Sequence, residues 1–197
     1  MNNTAIVILA AGSSSRLGMM KQLLHLNNKT LLQHVIDEAI ESGADPIVAV
    51  TGANADKISK EINTERVKIA FNNEWEEGMA SSIVAGVHAA ISYNNSTENI
   101  IIAVCDQPFI SSSLFKQLYQ THQEGTKHIV ASTYADTTGT PALFNRKYFD
   151  PLMSLTGDEG AKKLLNAYRN DVDTVDFPKG NIDIDTEADY QQVLKKM

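Results

Sequence analysis

A mostly parallel α/β sheet with helices on both faces is the fold class that the amino-acid sequence predicts, on three observations. Short, β-branched apolar runs alternate with longer stretches whose apolar residues recur at helical spacing, as expected where crossover helices join strands buried on both sides. The loop after the first run, "AGSSSRLGMMK", is rich in glycine and serine, which suits a turn at the carboxyl edge of a parallel sheet. A later run, "IIIAV", is followed by Cys105, Asp106, Gln107 and Pro108, so it ends in a carboxylate and then a residue that limits further regular pairing.

Taken in order, "AIVILA" at residues 5–10 is the first expected strand, and Leu31, Leu32, Val35, Ile36 and Ile40 mark the helix that follows. Strands at 46–50 ("PIVAV") and 67–71 ("VKIAF") come next, then a helix carrying Ile83, Val84, Val87 and Ile91, then the strand at 100–104. This first half reads as Rossmann-like. Beyond Asp106 the rhythm loosens: a helix near 112–122, a strand near 129–135, a turn at "TTGTPALF" (137–144) and a charged helix at about 159–168. A strand at "DTVDF" (173–177) and a terminal helix, capped by Asp185 or Thr186, complete the reading.

A chain of 197 residues, 43% of them hydrophobic, can bury one substantial core, so a single domain over 1–197 is expected. The net charge of -7 argues against a nucleic-acid or anionic-membrane partner, because either favours a face rich in Lys and Arg. An anionic ligand must therefore be met by a local cationic cluster. One cysteine, Cys105, allows no internal disulfide and suits a reducing compartment. The start "MNNTAIVILAAG" has no basic leader and only a short apolar run, so a cytoplasmic location is expected.

The first loop carries the clearest chemistry. Gly12 and Gly18 let backbone approach a ligand, Ser13 and Ser14 add hydroxyls, successive amides can face phosphate oxygens, and Arg16 and Lys21 supply full charge. Neither G-x-x-x-x-G-K-[ST] nor G-x-G-x-x-G is present, so on the residues alone a solvated turn stays open. Asp106, at the mouth of a strand, could hold Mg²⁺ through one oxygen or cap the next helix. Asp183 and Asp185 would share a side if extended. Histidines 25, 34, 88, 122 and 128 show no zinc spacing, Cys105 suits a core position, and Trp75 suits packing better than a pocket wall.

The stretch "LAAGSSSRLGMMKQLL" resembles the signature L-A-[AG]-G-x-S-x-R-[ML]-G-x-x-K-x-L-L of the MobA-like nucleotidyltransferases, and within them the molybdenum cofactor cytidylyltransferases. "NNEWEEGMASSIVAGV", "VCDQPFIS", "GTPALF", "LTGDEGAKKLL" and "DIDTEADY" resemble that family's later blocks in the same order, so the likeness spans nearly the whole chain. The resemblance implies a nucleotide-diphospho-sugar transferase fold, with a nucleotide-binding half at about 1–110 and an acceptor-binding half at about 111–197. It implies Mg²⁺-dependent transfer of CMP from CTP to molybdenum-bearing molybdopterin, with a molybdoenzyme as recipient of the product. Arg16 would meet the leaving phosphates, Lys21 the α-phosphate, and Asp106 with Asp185 the metal. Leu9, Ala10, Ala11, Gly12, Ser13, Ser14, Ser81 and Ser82 would bind the nucleotide, and Gly139, Pro141, Gly157 and Asp158 would border the acceptor. The Ala11 methyl, where guanylyltransferase relatives read L-A-G-G, would favour the smaller pyrimidine. Transfer from GTP, a sugar or polyol phosphate acceptor, and a non-catalytic cofactor carrier are the alternatives.

Overall fold

The computed structural model describes residues 1–14 and 18–196. In chain order it contains β1 (Thr4–Leu9), β2 (His25–Leu26), β3 (Lys29–Thr30), α1 (Leu31–Ser42), β4 (Ile47–Thr51), α2 (Ala55–Lys60), β5 (Val67–Phe71) and α3 (Met79–Tyr93). There follow β6 (Asn99–Val104), α4 (Ser112–Glu124), β7 (Ile129–Tyr134), β8 (Thr137–Asn145), α5 (Phe149–Met153), α6 (Lys162–Ala167), β9 (Val172–Asp176) and α7 (Glu187–Lys196). Seven strands form one sheet in the order β5-β4-β1-β6-β8-β7-β9, while β2 and β3 pair apart from it as a short antiparallel hairpin. Within the sheet β8 runs antiparallel to β6 and β7, and the other pairings are parallel.

Every residue of β1 and β4 is buried because both faces of the sheet are covered. Alternate side chains serve opposite cores. Val7, Leu9, Val48 and Ile102 pack with Ile83 and Val87 of α3, Leu152 of α5 and Leu165 of α6. Ile6, Ile8, Ala49 and Ile101 pack with Val35 and Ile36 of α1, Ile58 of α2 and Phe115 of α4. Helix α1 starts where the Thr30 hydroxyl accepts the Gln33 N–H at 3.0 Å, and it stops at Gly43, whose φ of 80° suits glycine. The Ser111 hydroxyl likewise accepts the Leu114 N–H at the start of α4.

The stretch 137–144, expected as a turn from its Gly and Pro, is instead most of the nine-residue strand β8. The turn lies earlier, at Ala135 and Asp136, both with positive φ. Proline is tolerated here because pairing with β7 jumps from Ala131↔Ala142 to Ser132↔Gly139, leaving Thr140 and Pro141 in a bulge. A missing N–H costs no ladder bond at such a place. The charged helix is shorter than expected, Lys162–Ala167, and α2, α5 and the β2–β3 hairpin were unforeseen. Thr186 supports the start of α7: its hydroxyl accepts the Asp189 N–H, and the Asp189 carboxylate accepts the Thr186 N–H at 2.8 Å.

Candidate active site

Register brings the two chemical loops together. Leu9 at the end of β1 lies opposite Val104 at the end of β6, so the chain leaves the sheet at Ala10 and at Cys105 side by side, on the carboxyl edge. Asp106 is then the second residue past β6. A third element arrives through backbone pairing, as the Ile184 N–H donates to the Asp106 carbonyl at 3.1 Å. Ile184 is fully buried with Leu24, Leu26, Leu31 and Val193, a small cluster that ties the start of α1 to the chain end and delivers Asp185 to the same edge.

Lys21 sits between the two carboxylates. Its Nζ lies 2.6 Å from Asp106 Oδ2 and 3.2 Å from Asp185 Oδ1. Burial pulls the Lys21 ammonium toward neutrality, but the charge and hydrogen bond of Asp106, with help from Asp185, outweigh it and hold its pKa above the usual lysine value. Cys105 lies beside them, and burial followed by the charge of Asp106 pushes its thiol up to about 12, which leaves it a core residue with little thiolate character. Asp183 stays outside this pairing. Burial first, then the neighbouring charges of Asp185 and Asp106, raise its carboxyl above the usual carboxylate range.

Lys21, Cys105, Asp106 and Asp185 line a cleft of about 440 Å³. Leu9, Ala10, Ala11, Gly12, Ser13 and Ser14 form one wall, Lys21, Asp106 and Asp185 the floor, and Ser82, Met79, Trp75 and Asp158 the far side. The loop of residues 10–14 is held by Gln22, which is 1% exposed; its Nε2 donates to the Ala10 carbonyl at 3.0 Å and to the Gly12 carbonyl at 2.7 Å. Ser14, at φ 55°, donates its hydroxyl to Gln22 Oε1 and accepts the Lys21 N–H. Arg16 lies outside the described residues.

Helix α3 supplies the opposite wall. The Asn72 side-chain amide donates to the hydroxyls of Ser81 at 2.8 Å and Ser82 at 3.0 Å. Ser82 lines the cleft, whereas the Ser81 hydroxyl is directed to the Glu74 and Gly78 carbonyls. Trp75 is a cleft wall after all, because Gly52 leaves it room: a Cβ there would stand 2.6 Å from the Trp75 Cβ and 2.9 Å from the Ala11 Cβ. Gly157 accepts the Ala80 N–H at 3.0 Å and packs against Gly78, carrying Asp158 to the cleft. Gly139 and Pro141 are not brought there among the described lining residues; they lie within β8, Gly139 against the hydroxyl end of Tyr134. Gln22 and Asn72 escaped the sequence reading, since only their proximity to Lys21 and to the Trp75 turn hinted at them.

Residues 6–172 match the MobA-like NTP transferase domain. The chain belongs to this family. The MobA-like chain is 30% identical to the nicotine blue oxidoreductase of Paenarthrobacter nicotinovorans, over 95% of each chain, and 25% identical to the molybdenum cofactor guanylyltransferase of Vibrio parahaemolyticus, over 96% of this chain and 94% of that one. Among solved structures it resembles Rv0371c of Mycobacterium tuberculosis with a TM-score of 0.85 at 27% identity, covering 98% of this chain and 97% of the other. A complex of Rv0371c with manganese matches with a TM-score of 0.80 at 25% identity, covering 98% and 99%. The fold is that of the nucleotide-diphospho-sugar transferases. No helix among the described residues is long and apolar enough to cross a membrane.

Proposed function

We propose that this MobA-like chain transfers CMP from CTP to molybdenum-bearing molybdopterin, forming molybdopterin cytosine dinucleotide and releasing pyrophosphate. The observation that carries the reading is the meeting of Lys21, Asp106 and Asp185 on one cleft floor beneath the glycine-serine loop. Such transfer is attack by a phosphate oxygen on the α-phosphorus, with pyrophosphate leaving in line, so the enzyme must position two anions and neutralise growing charge. The loop amides and Ser13 and Ser14 would cradle the triphosphate, Lys21 would meet the α-phosphate oxygens, and Arg16 the leaving phosphates.

The donor set fits Mg²⁺. Among the described residues no group of three or more His, Cys, Asp or Glu side chains forms a closed metal cage, and a carboxylate pair already closing on a cation suits an ion that keeps water and phosphate oxygens as its other ligands. Asp106 and Asp185 would hold that ion, which when bound would act as a Lewis acid at the phosphates. Support for a divalent ion also comes from the manganese complex of Rv0371c.

The base would stack toward Trp75 and Ser82, with the Ala11 methyl narrowing the space in favour of a pyrimidine. The half at 1–110 would hold the nucleotide and the half at 111–197 the acceptor, within one cytoplasmic domain, with Asp158 and Gly157 at the boundary and Gly139 and Pro141 shaping the acceptor side. A molybdoenzyme would take the product. Molybdopterin enters the reading through the sequence blocks and the Vibrio relative's name.

Pyrophosphate release with molybdopterin as acceptor tests the proposal. CTP should be used in preference to GTP. A clear preference for GTP would overturn the cytidylyl assignment, and no pyrophosphate from either nucleotide would overturn nucleotidyl transfer, bringing forward the redox chemistry in the Paenarthrobacter relative's name.

A further inference from the structure

We propose that Gln22 is the positioning residue for the triphosphate: its side-chain amide draws the carbonyls of the first loop inward so that the loop presents N–H groups to the anion. The inference rests on the nucleotidyl-transfer reading above. A loop leaving a strand has carbonyls and amides in equal number, and an anion is repelled by the first and held by the second. Here the carbonyls of three consecutive residues have inward partners: Ala10 and Gly12 accept from Gln22 Nε2, and Ala11 accepts from the Ala53 N–H at 3.0 Å. The N–H groups of Gly12, Ser13 and Ser14 have no partner among the described residues, and all three residues line the cleft.

Gln22 suits this task in a way few residues could. Two N–H donors on one nitrogen match two carbonyls, and the remaining oxygen accepts the Ser14 hydroxyl, whose own oxygen receives the Lys21 N–H. One buried side chain thus couples the loop to the backbone of Lys21. A glutamate of the same shape would aim negative oxygens at two carbonyls, and methionine would fill the space while leaving them unpaired.

The test is calorimetric binding of inorganic tripolyphosphate with Mg²⁺, and of CTP, to wild-type, Gln22→Met and Gln22→Glu proteins whose folding is confirmed by circular dichroism. Both variants, once folded, should bind tripolyphosphate more weakly by about tenfold or more, because displaced donors no longer converge on the anion. A merely structural role would lower the melting temperature and leave that affinity unchanged, which would overturn the proposal. Should neither variant fold, hydrogen exchange of wild-type Gly12, Ser13 and Ser14 decides: slowing on addition of tripolyphosphate supports the proposal, and no slowing overturns it. A wild-type protein that binds tripolyphosphate but shows no selectivity for CTP would sink the cytidylyl assignment while leaving the Gln22 result standing, and one that binds neither compound would overturn both.

Discussion

Burial pulls the Lys21 ammonium toward neutrality, and Asp106 is the main reason its pKa nevertheless stands above the usual lysine value. The same carboxylate faces the cleft in which we place the triphosphate, so its charge matters beyond the ion pair. Asp106→Asn should leave the fold intact, since the Asp106 carbonyl, not its side chain, receives Ile184. It should slow pyrophosphate release by about a hundredfold or more, as expected when a metal-holding charge is removed from phosphoryl transfer. Near-wild-type turnover would exclude the metal role. Lys21→Ala should lower kcat more than it weakens CTP binding if the ammonium acts chiefly as charge grows at the α-phosphate; a change confined to KM would make it a ground-state anchor. Asp106 was legible as a carboxylate at a strand exit and Lys21 as a cation of the glycine-serine loop, whereas Asp185 was marked by the resemblance of its block to the family's. Gln22 was not legible, because its partners are carbonyls ten and twelve residues earlier that carry no side-chain signal.

Among the elements, α3 forms the cleft wall and also packs on β1, and Gly86 sets how closely. A Cβ at Gly86 would lie 2.3 Å from Val7 Cγ1 and 3.0 Å from Val50 Cγ2, both in fully buried strands. Gly86→Ala should therefore destabilise the protein by about 1–3 kcal/mol through overpacking, even though alanine is the better helix former. A lower urea midpoint with an unchanged slope would show this, whereas a gain in stability would mean that the helix can shift freely. Helix and strand periods made α1, α3, β1, β4 and β6 readable, since burial on one stripe or on both faces writes itself into apolar spacing. Strand β8 was hidden: Gly139 and Pro141 are turn-formers in isolation, and only the bulge against β7 makes them strand residues. Their family block was visible; that they lie outside the described lining of the cleft was not.

Across the whole molecule, the edge of the sheet away from β5 is closed by Asp171, at the foot of β9. Its carboxylate accepts from Tyr148 Oη at 2.6 Å, Lys147 Nζ at 2.9 Å and the His128 N–H at 3.1 Å, with the His128 ring also at 3.1 Å, so it joins the starts of β7 and β9 to the segment leading into α5. Burial would raise its pKa, but these donors, Tyr148 first, outweigh burial and hold the carboxyl well below the usual carboxylate range. A folded-state pKa below the unfolded one means that folding favours the ionised form. The contribution is therefore complete at neutral pH, begins to fall near the unfolded value of about 3.9, and is gone once pH drops through the folded value. Denaturant melts of wild-type protein should accordingly show stability declining as pH falls through this acid window. Asp171→Asn should be less stable at pH 7 by about 1–3 kcal/mol, for the charged acceptor it removes, and its stability should depend less on pH below 4. Because this network stands on β7 and β9, strands that contribute no residue to the described lining of the cleft, the variant should bind CTP as wild type does. Equal acid sensitivity in both proteins would instead assign the acid loss to other carboxylates.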